Sequence, residues 1–137
     1  MTGERGLGGA ALIGVVCGMR SAMGPAALAW RVHAGGTRTR RLLTAAALGE
    51  VVADKTPFVP PRTSAPALGG RVVSGALCGR QLAGTWGAMT GALGALAATF
   101  GAHRARAALG EATEVPDPLL GVAEDALAVA VAALATR

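Results

Sequence analysis

Residues 6–30, GLGGAALIGVVCGMRSAMGPAALAW, form a long apolar segment in which Arg20 is the only charge. At about 1.5 Å per residue the segment is long enough to cross a ~30 Å hydrocarbon core. It makes a poor cleaved signal peptide. Glu4 and a lone Arg5 precede it, and Arg20, Gly24 and Pro25 sit where an h-region is plain. The expectation is a retained membrane helix. Gly24 and Pro25 just after Arg20 further predict freed backbone groups, as in the broken helices that line ion or substrate sites.

Composition points the same way. The 137 residues are 52% hydrophobic, 15% charged and 3% aromatic, with 21 Gly and no Tyr, and the mean hydropathy is +0.47. Soluble domains carry about a quarter charged residues, and they fill a core with large side chains that are scarce here. Hydrophobicity excludes disorder, the lack of a Gly triplet period excludes collagen, and having only Cys17 and Cys78 excludes a disulfide scaffold. The net charge is +5, with Lys55 the single Lys among 13 basic residues. These residues lie between apolar segments, as in a bacterial inner-membrane protein. They are not interleaved with aromatics for stacking bases, so no nucleic-acid partner is expected.

Working outward, residues 31–41 read as a basic loop broken by Gly35 and Gly36, with His33 in it, and residues 42–53 as a short helical run ending at Asp54 and Lys55. Residues 56–70 hold Pro57, Pro60, Pro61 and Pro66 and read as a surface loop, packing back to the helix ends through Phe58 and Val59. The next apolar stretch divides at Gly84-Thr85-Trp86-Gly87 into helices over 68–83 and 86–104. Asp117 and Pro118 then open a last helix over 119–135. The expected architecture is an all-α integral membrane bundle of five helices, with four as the alternative, in one domain over 1–137. Basic residues divide almost evenly between the two sides and leave the orientation open.

Small residues recur at a spacing of four: Gly14 and Gly18, Gly75 and Gly79, Gly87 and Gly91. In lipid, helices associate by close backbone approach at such faces. The rows therefore predict tight packing within a bundle, and a homo-oligomer, with a dimer as the simplest form, if one face is shared between copies.

Charges at membrane depth are costly, roughly 2.5 to 3.5 kcal/mol each on insertion scales. Arg20 lies deep in the first segment, Glu50 and Asp54 lie one turn apart on one face beside Lys55, and Glu124 and Asp125 lie inside the last. The candidate ion or substrate site is Arg20, Glu50, Asp54 and Glu124, with Asp125 and Lys55 as secondary members. At headgroup level the same acids would simply be solvated, a reading that does not serve Arg20.

Gly18-Met19-Arg20-Ser21 with Gly24-Pro25-Ala26, then Gly49-Glu50-Val51-Val52-Ala53-Asp54-Lys55-Thr56-Pro57, Gly70-Arg71 through Ser74-Gly75, and Glu124-Asp125-Ala126-Leu127-Ala128 resemble domain of unknown function 4126. This is a family of small multi-pass bacterial membrane proteins, and E-x-x-x-D-K-x-P is the most specific element. The resemblance implies a membrane α-bundle and no catalytic assignment.

No P-loop, dinucleotide turn, nucleophile elbow or paired-His metal motif occurs. His33 and His103 read as loop residues and the two cysteines as small core hydrophobes, so neither a metal nor a cofactor is expected. The function classes are a small ion or solute transporter or channel, a structural membrane protein whose buried charges form inter-helix salt bridges, and, third, an enzyme acting on lipid.

Overall fold

The computed structural model describes residues 2–31, 36–56, 61 and 63–137. Those residues are all-helical, without strands: α1 (Thr2–Met19), α2 (Met23–Arg31), α3 (Thr37–Ala53), α4 (Ala65–Ala112) and α5 (Asp117–Ala135). His33, Phe58 and Val59 lie outside the described residues.

The division differs from expectation at four places, one of them the end of α4, which runs past 104 to Ala112 and takes in His103, expected in a loop. Residues 6–30 are two helices, α1 and α2, separated at 20–22. The break precedes Gly24 and Pro25, and Pro25 sits in the first turn of α2, where its missing N–H leaves no internal bond unmade. α3 begins at Thr37 and takes in Arg38, Arg40 and Arg41 from the expected loop. α4 begins at Ala65 with Pro66 in its first turn, so the second half of the expected 56–70 loop is helical.

α4 spans 48 residues but is not one rod, because Ala83 and Gly84 have non-helical backbone angles. Gly84 is at φ +61°, a left-handed conformation that a Cβ would strain. The two arms fold back on each other antiparallel, with Gly75 against Gly91 and Gly79 against Gly87. The expected divide near 84–87 thus falls one residue earlier.

α1 lies along this hairpin, with Gly14 against Gly91 and Gly18 against Ala95. The interior is made of small residues. Ala10, Ala95 and Ala128 are fully buried, and Ile13, Val16, Cys17, Leu28 and Cys78 are the larger apolar groups inside. Among the described residues three polar side chains join them: Arg20, Arg71 and Thr99. Many large apolar side chains instead face outward, among them Leu77, Trp86, Met89, Leu93, Leu127 and Val129. Among the described residues α5 is the one helix long and apolar enough to cross a membrane, and only 22% of its apolar span is buried against the rest of the chain.

Candidate functional site

The site begins with the break between α1 and α2. Ending one helix and starting another leaves carbonyls at the first end and amides at the second without internal partners, and inside a protein each must find one. The carbonyls are served by side chains from α4. Arg71 Nη1 donates to Gly18 O at 2.6 Å and to Met19 O at 2.9 Å. Thr99 Oγ1 lies 3.1 Å from Gly18 O, and Ser74 Oγ donates to Ser21 O at 2.7 Å.

The amides are served by α3. Ser21 N–H and Oγ–H donate to Glu50 Oε1 at 2.8 and 2.9 Å, and Ala22 N–H donates to Oε2 at 2.8 Å. Both carboxylate oxygens are thereby committed at the amino end of α2, where the helix dipole also favours negative charge. Arg71 Nη2 approaches Glu50 Oε1 at 3.8 Å, so the buried guanidinium that serves the carbonyls and the carboxylate that serves the amides meet at the break.

Arg20 sits at the break with its side chain 1% exposed. Its Nη1 pairs with Asp54 Oδ2, its Nε donates to Asp125 Oδ1 at 2.7 Å, and its Nη2 reaches the same oxygen at 2.5 Å. Asp125 Oδ2 accepts from Lys55 Nζ at 2.9 Å. This group ties the α1–α2 break to the end of α3 and to α5.

Glu124 and Asp125 are neighbours about 100° apart on α5, and each serves a different cation. Glu124 Oε2 lies 3.4 Å from Arg106 Nη1. Arg106 also forms a two-pronged pair with Asp117, Nε to Oδ1 at 2.8 Å and Nη2 to Oδ2 at 2.7 Å. A cavity of about 320 Å3 lies between the two groups, lined by Arg20, Asp54, Lys55 and Thr56 from one and Arg106 and Asp117 from the other.

Of the six expected site residues, Arg20, Asp54, Lys55 and Asp125 therefore form one connected group. Glu50 is joined to it through the backbone of the break, and Glu124 belongs to the Arg106 group. The ranking of the acids differs from expectation: Asp125, expected as secondary, contacts Arg20, and Glu124 does not.

Arg71, Thr99, Ser74 and Arg106 were not among the expected members. The spacing pointed to two of them. Arg71, Gly75 and Gly79 form one four-residue row, and Gly87, Gly91, Ala95 and Thr99 form another; all seven are buried. Extending each glycine row by one or two turns reaches the polar side chain that serves the break. Nothing comparable marks Arg106.

All six packing glycines lie at close helix approaches within this one chain. A Cβ at Gly18 or Gly75 would meet the backbone or side chain of Ala95 at under 3.0 Å. Cys17 and Cys78, from different helices, are both buried in the same core cluster, and Ser74 Oγ lies 3.5 Å from Cys17 Sγ. Among the described residues no group of three or more His, Cys, Asp or Glu is arranged to hold a metal ion.

No family model matches the chain, and neither the curated proteins nor the solved structures provide a match.

Proposed function

We propose that this chain is a multi-pass integral membrane bundle, of the bacterial inner-membrane kind, whose Arg20-centred charge network handles a small ion or charged solute. The observation that carries this reading is the inverted distribution of side chains. Arg20, Arg71 and Thr99 are buried, whereas Leu77, Trp86, Met89, Leu93, Leu127 and Val129 are exposed. In water that arrangement would expose large apolar groups and desolvate ions. In a bilayer both preferences reverse, and intramembrane charges turn inward and pair. The broken α1–α2 helix, with its backbone groups served by side chains, is also the form in which irregular backbone is tolerated at membrane depth. The resemblance to domain of unknown function 4126 agrees with this proposal.

A structural role is the second reading, favoured by the fact that Arg20, Lys55, Arg71 and Arg106 all have carboxylate partners. A homo-oligomer, with a dimer as the simplest form, remains part of the proposal. Its interface lies away from Gly14 and Gly18, since that face is taken by α4.

The protein should resist carbonate extraction from membranes, and release without detergent would overturn the membrane reading. In proteoliposomes, ion or solute flux that is lost in E50Q while folded yield is retained supports transport. No flux from wild type, with folded yield falling in E50Q, supports the structural role.

A further inference from the structure

α5 runs from the Arg106–Asp117 pair at one end of the bundle to a second cavity, of about 270 Å3, at the other. α2 runs back along α1, with Gly24 against Cys17. Arg5 near the start of α1 and Arg31 at the end of α2 therefore line the same cavity, and Arg137, just beyond α5, joins them. Leu28, Leu82 and Ala135 form the apolar part of the wall. Arg31 is held in place by its Nε, which donates to Thr136 O at 3.0 Å.

The charge here is one-sided. All eight acidic residues of the chain are among those described, and none lines this cavity. A free α-carboxylate on Arg137 would still leave three guanidiniums against one carboxylate. The imbalance extends beyond the cavity. Arg38, Arg40 and Arg41 occupy the first turns of α3, with Arg40 5.1 Å from the ring of Trp30 on α2, and Arg80 lies one turn before the bend at Gly84. Glu4 is the one acid at this end. The other acids fall in the second half of α3, at the end of α4 and just after it, and in the first half of α5. The net charge of +5 is thus gathered at one end.

Guanidiniums drawn together repel one another, and their planar N–H forks match the oxygens of a phosphate. Both tryptophans of the chain are also at this end, Trp30 at the end of α2 and Trp86 just after Gly84, and they are 50% and 68% exposed. Exposed Trp is the side chain of the membrane–water interface, the depth at which phospholipid phosphates lie. At about 30 Å3 per liquid water the cavity has room for on the order of nine waters, about the size of a phosphoglycerol head, with Leu28 and Leu82 beside it for the first acyl carbons. A zwitterionic head would bring its ammonium among the arginines, whereas a net-anionic head brings only the charge they lack. Basic pockets between membrane helices hold anionic headgroups in this way.

We infer that the cavity of Arg5, Arg31 and Arg137 binds the phosphodiester of an anionic phospholipid, an inference that rests on the membrane reading above and not on solute handling. The test uses the full chain, delipidated in detergent, with lipid binding followed by native mass spectrometry. Phosphatidylglycerol should bind at least tenfold more tightly than phosphatidylcholine. R5Q and R137Q should each weaken phosphatidylglycerol about fivefold with helix content and phosphatidylcholine binding unchanged, and R104Q, toward the other end of α4, should leave it as in wild type. Inorganic phosphate should displace the lipid only at concentrations more than a hundredfold higher. Equal binding of the two lipids, or wild-type binding by R5Q and R137Q, overturns the inference. Displacement by inorganic phosphate at the concentration of the lipid also overturns it, and makes the cavity a site for a soluble anion. Each of these results leaves the membrane reading standing if the protein resists carbonate extraction; release by carbonate overturns both.

Discussion

The interface of α1 with α4 and the docking of α3 are built by opposite means. In the first the contact is backbone against backbone, between α1 and α4 at Gly14, Gly18 and Gly94 and between the two arms of α4 at Gly75, Gly79, Gly87 and Gly91, because these residues have no side chains. α3 has no buried residue at all. It is held by Glu50 on the amides of the break, by Asp54 on Arg20, by Lys55 on Asp125, and by Trp30 Nε1 donating to Thr44 Oγ1 at 2.7 Å. Dispersion at close range does not depend on charge state or on competing ions, whereas ion pairs respond to both. The glycine seam is therefore the fixed frame, and α3 is the element that a ligand or ion in the charge network would displace.

The largest effect expected from breaking this contrast is at Arg20. R20Q removes the shared partner of Asp54 and Asp125, which are 9% and 17% exposed, and should lose about 3 to 5 kcal/mol if the pair behaves as fully buried. Denaturant unfolding in detergent measures the loss, and accelerated proteolysis of α3 alone would locate it. Replacing Arg20, Asp54 and Asp125 together by Met, Leu and Leu should recover much of the stability, since an apolar core can replace a buried ion group. A triple variant no better than R20Q would show that Arg20 acts through the backbone of the break instead.

The glycine seam should fail differently. Gly91 faces Gly75 from the other arm and Gly14 from α1, so G91L forces both neighbours apart. Overpacking of this kind typically takes 1 to 3 kcal/mol or more. The loss should be insensitive to salt, whereas that of K55Q, which removes the 38% exposed partner of Asp125, should shrink as salt screens the pair. Equal salt dependence of the two variants would remove the distinction between frame and docked element.

The all-helical class and the small-residue rows were legible in the sequence because both depend on local chemistry: hydropathy over a window, and the four-residue repeat of a helix face. The break was read from Gly24 and Pro25 but lies at 20–22, because Pro25 is comfortable in the first turn of a helix and Glu50, thirty residues on, supplies the acceptors that start α2. Four of the six charged candidates are mutually connected for a reason the sequence does carry, the expense of isolating any one of them. Which acid meets which cation depends on the rotation of α5, and adjacent Glu124 and Asp125 look alike until that rotation is known. Arg106 was invisible because a charge near an apolar segment's polar end has a solvated alternative.

A smaller effect is expected at Thr99, whose hydroxyl lies 2.8 Å from Ala95 O on its own helix and 3.1 Å from Gly18 O across the seam. T99V keeps the shape and removes the donor. Gly18 O retains Arg71 at 2.6 Å, so the loss should be about 1 kcal/mol, the usual net value of one hydrogen bond. A loss above that would mean that Thr99 orients the break rather than merely satisfying it, and Glu50 crosslinking to Ser21 would then fall in parallel.

The smallest effect, and one of opposite sign, is at Gly49. It lies in α3 with nothing within 4 Å of where a Cβ would stand, so G49A adds no contact and restricts only the unfolded chain. Mid-helix Gly is worse than Ala by roughly 0.5 to 1 kcal/mol, and G49A should stabilise by that amount. At Gly91 the same Gly-to-Ala change should destabilise, because its Cβ would collide with the backbone of Gly75. The pair isolates the comparison with one methyl group in each region. If both variants are stabilised, the seam is looser than the close approach of its glycines requires. If both are destabilised, the exposed face of α3 is covered in the membrane, by lipid or by a second copy, and α3 is less free than its attachment by charges implies.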